Sequence, residues 1–202
     1  MNELIHSILY INLSHRVDRK TQIEKELLKV FPVEKITRID AVLDKTHGGK
    51  GCTKSHILAL KTAISNNYKN CLIVEDDFIW NNLENSGKIA EKLIVNEYDV
   101  ILFGSTFLNY EPKTFKVFSG KSRTGYLVNN HYYKKLLANF EESLSGFEKT
   151  NKYPVYAGDE WWKKLQKEDN WYAVVPVLCY QIEGYSDIQH KNQSYKHYSI
   201  TK

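Results

Sequence analysis

The run Cys71-Leu72-Ile73-Val74 passes without a break into Glu75-Asp76-Asp77, and no other stretch constrains the fold as tightly. Four consecutive apolar residues, two of them β-branched, read as a strand buried on both faces, the pattern of a parallel sheet covered by helices. The three acids then stand at the strand's carboxyl end, where open α/β sheets bind their ligands. While the chain stays extended, Glu75 and Asp77 point to one face and Asp76 to the other. Two like charges on one face call for a cation between them, and a hard divalent ion carrying a phosphorylated ligand is the simplest choice. An acidic loop that merely leaves the core is the plainer alternative.

The rest of the chain supplies the neighbours such a strand needs. Ile8 to Leu13 is strand-like, and Ile23, Leu27 and Val30 follow at helical spacing up to Pro32. A second strand is predicted over Ile36 to Val42, and Lys45 to Gly51, with three glycines, reads as a mobile loop. Ile57, Leu60 and Ile64 share one face of a helix that Asn66-Asn67 stops. A short helix from Gly87 to Val95 and a strand from Asp99 to Gly104 continue the alternation, which implies an α/β fold with a mainly parallel central sheet. Further on, strands are expected at Val117 to Ser119, Gly125 to Val128 and Trp171 to Pro176. Helices are expected around Tyr133 to Phe140 and over Asp159 to Lys167. From Gly184 onward the chain is polar and rich in Tyr and His, and its aromatics hint at a segment that folds over something.

The chain has 202 residues and no Pro-rich or Gly/Ser-rich linker, so one domain over 1–202 is expected. A net charge of +4, with lysines spread along the chain, argues against a nucleic-acid surface and suits an anionic small ligand. Cys52, Cys71 and Cys179 are odd in number and lack metal-ligand spacing, which suits a reducing compartment. The first residues do not resemble a signal peptide, and no apolar run approaches the roughly 18 residues of a transmembrane segment. A cytoplasmic protein is therefore expected.

Five segments then resemble one family. They are Tyr10-Ile-Asn-Leu-Ser-His-Arg-Val-Asp-Arg19, Arg38-Ile-Asp-Ala-Val42, Gly51-Cys-Thr-Lys-Ser-His-Ile-Leu-Ala59, Leu72 to Asp77, and Gly125-Tyr-Leu-Val-Asn129. Their order and spacing resemble glycosyltransferase family 25, which includes lipopolysaccharide sugar transferases and collagen galactosyltransferases. The resemblance spans most of the chain. It implies a single nucleotide-sugar-binding α/β domain of the glycosyltransferase A type, with 1–105 as the nucleotide-binding half and 106–202 as the acceptor half and tail. It also implies an inverting transfer of a hexose, galactose or glucose, from a uridine-diphosphate (UDP) sugar to a hydroxyl of a glycan or hydroxylated side chain, with Mn2+ or Mg2+.

Within that resemblance, Asn12 and Leu13 at the end of the first strand are expected to meet uracil or ribose. Arg16 is preferred over Arg19 for the diphosphate, since a guanidinium offers a fixed fork of donors. Asp40 would accept from ribose hydroxyls, unless it is only a solvated turn carboxylate. Lys54 and Ser55 at a helix start are expected to hold a phosphate or sugar oxygen, and His56 to be a satisfied structural histidine. Glu75 and Asp77 are the expected metal ligands, with Asp76 on the ribose or donor sugar. His190, in Ser186-Asp-Ile-Gln-His190, would complete the metal shell. Asp159 is the expected general base and Glu160 the second choice, with Trp161-Trp162 as an aromatic platform for sugar. Helix-start carboxylates beside core tryptophans are the alternative there. A non-catalytic sugar- or nucleotide-binding module of the same fold is the competing function. The intact acid cluster counts against it, because a pure binding module gains nothing from two unpaired carboxylates on one face.

Overall fold

The structure, a computed structural model, describes residues 1–186 and 191–193. Its first half alternates strands and helices: β1 (Ser7–Asn12), α1 (Val17–Leu27), β2 (Ile36–Asp40), α2 (Gly48–Ser65), β3 (Asn70–Glu75), β4 (Phe78–Trp80), α3 (Asn85–Ile94) and β5 (Val100–Leu102). The second half is less regular. It comprises β6 (Thr106–Tyr110), β7 (Val117–Lys121), β8 (Gly125–Asn129), α4 (Tyr133–Thr150), α5 (Tyr153–Tyr156), α6 (Gly158–Trp161), α7 (Lys163–Glu168), β9 (Trp171–Ala173), β10 (Cys179–Gln181), β11 (Gly184–Ser186) and β12 (Lys191–Gln193).

Six strands make the central sheet in the order β2-β1-β3-β8-β5-β9. β1 lies parallel to β2 and β3, and β5 to β9, while β8 runs antiparallel between β3 and β5. The sheet is thus mainly parallel, as the alternation implied. From β1 the chain moves to one side for β2 and crosses to the other for β3. The carboxyl ends of β1 and β3 therefore flank a switch in strand order, where a crevice opens.

Strand periodicity sorts the core into two layers. Leu9, Ile11, Cys71 and Ile73 pack with Ile57, Leu60, Phe140 and Trp162 on one face of the sheet. Ile8, Tyr10, Leu72 and Val74 pack with Ile23, Leu27 and Leu93 on the other. Each fully buried Leu, Ile or Val contributes about 1.5–3 kcal/mol, against roughly 0–1 kcal/mol for an exposed ion pair, so these layers hold the sheet.

Several boundaries differ from the sequence expectation. The expected glycine loop is shorter, because α2 already begins at Gly48, with His47 Nδ1 accepting from the Gly49 amide. The glycines serve close packing there: a Cβ on Gly51 would lie 2.4 Å from the Val42 carbonyl oxygen. β2 ends at Asp40, two residues early, and β9 ends at Ala173 rather than Pro176. The helix expected over Asp159 to Lys167 is two short helices meeting at Trp162. The Trp162 indole is buried beside Tyr126, Phe140 and Trp171 and donates to the Gly120 carbonyl, so tertiary packing holds that corner. Helix α4 runs on to Thr150 and stops at Asn151, which adopts φ 55°. Among the described residues no helix is long and apolar enough to cross a membrane.

Candidate active site

A cavity of about 670 Å³ opens over the carboxyl ends of β1 and β3. Leu13, Arg19, Ser55, Arg123 and Asp159 line it together with Glu75, Asp76 and Asp77. The acids separate as strand geometry requires. Glu75 emerges on the face covered by α2, where the Cys52 thiol donates to its Oε1 at 3.2 Å and His56 Nε2 lies 3.3 Å from the same oxygen. Asp76 turns to the other face, accepting from Asn12 Nδ2 at 2.8 Å and Arg19 Nη1 at 3.0 Å. Asp77 returns to the side of Glu75: Gln181 Nε2 reaches Glu75 Oε2 and Asp77 Oδ2, each at 3.3 Å.

The electrostatics follow from this crowding. Burial and then the Glu75 charge push the Asp77 carboxyl up to about 8, with Arg19 only partly offsetting them. Glu75 is the member of the pair that stays ionised: burial opposes its charge, but His56, Arg123 and Cys52 outweigh that. His56 is 0% exposed, and burial followed by the Arg123 charge lowers it to about 4. A neutral imidazole that donates from Nε2 to Glu75 must accept at Nδ1, and the Tyr126 hydroxyl, 2.8 Å away, is the donor it needs.

The second acidic element faces the same cavity from α6. Asp159 Oδ2 accepts from the Ser122 amide at 3.1 Å. Glu160 is tied down by Lys121 and Lys163 and lies outside the cavity lining. Beneath α6 runs Arg123, 5% exposed, donating to Thr53 Oγ1 and Cys52 Sγ. Burial works against its charge, but Cys52, Asp159 and Glu75 overcome this and raise its pKa. Gly158 makes room for it, since a Cβ there would lie 2.3 Å from Arg123 Nη1.

The profile of glycosyltransferase family 25, described as an LPS biosynthesis protein, matches residues 38–155. The chain belongs to glycosyltransferase family 25. The matched segment contains α2, the β3 acids and Arg123, and stops just short of Asp159. No curated protein sequence matches this family 25 chain. Among solved structures it is similar to a glycosyltransferase involved in the glycosylation of the major capsid of PBCV-1. That pair shares 8% identity over 83% of this chain and 80% of the other, with a TM-score of 0.50. It is also similar to the glycosyltransferase GlyE of Streptococcus pneumoniae TIGR4, at 12% identity, 84% of this chain and 44% of that one, TM-score 0.48. At such identities the likeness to the capsid enzyme is one of fold, the glycosyltransferase A type with its mainly parallel sheet.

Against that fold, the residues singled out from the sequence of this family 25 protein divide. Glu75, Asp76, Asp77, Leu13, Ser55 and Asp159 come together in the cavity lining. Ser55 Oγ is already engaged, accepting from the Val42 amide and donating to the Gly51 carbonyl. Asn12 is buried behind Asp76, with Arg38 donating to its Oδ1. Four others lie outside the lining. Arg16 forks onto Asp18, while Arg19, one helical turn further on, reaches the acids. Asp40 is exposed and paired with Arg38 at 2.7 Å. Lys54 is held by Asp44 and Glu148, and Glu160 by its two lysines. The tryptophan platform does not form: Trp162 is core, and Trp161 stacks on Tyr156 and donates to Glu142. His190 lies outside the described residues.

Sequence reasoning missed Arg123 and Gln181. A charged residue two positions before the buried β8 strand was a usable signal for Arg123. Gln181 had no local signal, because only the antiparallel pairing of β10 with β4, which sets Gln181 opposite Phe78, brings it to the acids.

The donor set fits a divalent ion. The oxygens of Glu75 and Asp77 share one face, and in their own company Asp77 tends to hold a proton, a repulsion that a hard cation relieves. Cys52, His56 and Glu75 also offer ligand atoms within 4.8 Å of one another. There, however, both His56 nitrogens are engaged and the Arg123 guanidinium touches Cys52, so these residues hold Glu75 in place.

Proposed function

We propose that this family 25 protein is an inverting hexosyltransferase. It takes galactose or glucose from a UDP-sugar to a glycan hydroxyl with Mn2+ or Mg2+, in the cytoplasm, as part of LPS assembly. The observation that carries this reading is the carboxylate pair Glu75 and Asp77 at a switch in strand order, opening on the same cavity as Asp159. Residues 1–105 would form the nucleotide side and 106–202 the acceptor side of one domain.

Inversion requires a base on the acceptor side and charge neutralisation on the leaving side. Glu75 and Asp77 would hold the ion, which supplies positive charge for the departing diphosphate. Arg19 fixes Asp76 and borders Asp77, so the acids keep their directions when the cavity fills. Asp159 is positioned through its Oδ2 by the Ser122 amide, and its carboxylate takes the proton of the attacking hydroxyl. Arg123 lies between these functions in charge terms, since Glu75 and Asp159 both act on it.

The test is a panel of nucleotide sugars screened for thermal stabilisation with Mn2+, followed by metal-dependent hydrolysis of the stabilising compound. A ligand that binds the folded state alone raises its melting temperature. UDP-galactose or UDP-glucose is expected to stabilise and to be hydrolysed slowly without acceptor. Stabilisation without any turnover would favour a binding module, and indifference to the whole panel would overturn the reading.

A further inference from the structure

We propose that Phe107, at the mouth of the cavity, is the platform on which the acceptor saccharide lays the C–H face of a pyranose ring. The proposal rests on the transferase reading and names the acceptor subsite within it. Phe107 is 62% exposed and lines the cavity. Its backbone sits at φ 51°, a left-handed conformation that bulky residues avoid and that persists where the surroundings impose it. The surroundings here are the β6–β7 hairpin, whose register shifts between Thr106 and Asn109, an irregularity of the kind that re-aims side chains.

An exposed aromatic ring held in a costly conformation at a polar cavity fits a ligand with one apolar and one hydroxylated aspect. A pyranose ring has both. Lys121 Nζ, which also pairs with Glu160, lies over the Phe107 ring 5.6 Å from its centroid, so ammonium donors for saccharide hydroxyls stand close to the ring. The same hairpin end positions the base, since Ser122, the next residue, donates to Asp159. That link assigns the ring to the acceptor rather than to the nucleotide, whose acids stand on β3. Val42, Leu43 and Ile182, exposed around the same cavity, extend the apolar rim.

Saturation-transfer NMR with methyl α- and β-galactosides and glucosides, in the presence of UDP and diamagnetic Mg2+, tests the assignment. Wild-type protein is expected to saturate ring C–H protons. Phe107→Ala should weaken saccharide affinity about fivefold or more, the scale of a lost aromatic contact, and Phe107→Tyr should retain it. Phe118→Ala, on the same hairpin but outside the cavity lining, should leave the signal unchanged. Phe107→Gly should lose the signal while holding or raising the melting temperature, because glycine adopts positive φ freely. A ring needed only for folding would instead lower it. No saccharide signal from the wild type, equal affinity in Phe107→Ala, or a loss confined to UDP binding would each overturn the platform. Calorimetry of UDP with Mn2+ on the wild type separates the two readings. No UDP binding sinks the transferase itself, whereas UDP binding with an indifferent Phe107 sinks the platform alone.

Discussion

The two acidic elements that face the cavity are built on opposite terms. At the end of β3, Glu75, Asp76 and Asp77 crowd onto a few ångströms of backbone, with Arg19 and the Gln181 amide as shared donors and Asp77 driven toward its neutral form. At the start of α6, Glu160 has two lysines of its own and Asp159 a backbone amide. Burial opposes the Glu160 charge, yet Lys121 and Lys163 lower its pKa. The first element sets three carboxylates against Arg19, with Arg123 acting on Glu75, whereas the second gives Glu160 two lysines. A strand end that repels itself is suited to capture a cation, while a carboxylate held by one backbone donor keeps an oxygen to take up a proton.

Asp77→Asn should break this contrast most severely. Removing half of the facing pair is expected to weaken Mn2+-dependent UDP binding by roughly 100-fold or more, beyond the 10–100-fold typical of outer partners of a metal site. Calorimetry reads it, and unchanged affinity would take Asp77 out of the metal site. Asp159→Asn should leave that affinity alone and lower the transfer rate by roughly 100-fold, the scale of lost proton transfer. Glu160→Gln is expected to cost only a few-fold, because its role is to sit between lysines. Similar kinetic losses from both would mean that the two acids are not distinguished as their partners suggest.

The arginines sharpen the comparison at smaller scale. Arg19→Ala removes the guanidinium that spans Asp76 and Asp77 and should reduce UDP affinity about tenfold, in the range of a charge-assisted contact. Arg16→Ala, which removes a guanidinium that forks onto Asp18 outside the cavity lining, should change it less than about twofold. A last effect, on stability, belongs to the metal-free protein. The folded Asp77 holds its proton up to about 8, whereas an unfolded aspartate releases it near 3.9. Between those values the folded state binds more protons, so stability should decline as pH rises from about 4 to about 8 and stay low above. Asp77→Asn lacks this decline. With chelator present, it should melt above the wild type at pH 8.5 and level with it near pH 4. Parallel melting curves across that range would show that burial and the Glu75 charge do not raise the Asp77 carboxyl.

Much of this was legible because it depends on short-range periodicity. Alternation along 71–77 already implied that Glu75 and Asp77 share a face and that Asp76 opposes them, and the Gln181 and Asn12 contacts follow that parity. The order of apolar strands and helices likewise implied a mainly parallel sheet with both faces covered. Local sequence could not rank Arg16 against Arg19. Both lie near the first strand end, and the choice turns on which side of α1 meets β3.

What only the tertiary structure decided is the set of partners contributed from far along the chain. β8, inserted antiparallel between β3 and β5, delivers Arg123 beneath α6, and β10, pairing with β4, delivers Gln181 to the acids. The Trp161-Trp162 pair reads as a sugar platform in sequence, but Trp162 fills a core of Tyr126, Phe140 and Trp171, and Phe107 stands exposed at the cavity instead. The reason is physical. Helix and strand periods are set by backbone sterics within a few residues, so a sequence determines which faces are apolar. Which of those faces meet, and which polar groups are drawn together at their edges, depends on burying two helical layers against one sheet, and that is settled only when the whole chain packs.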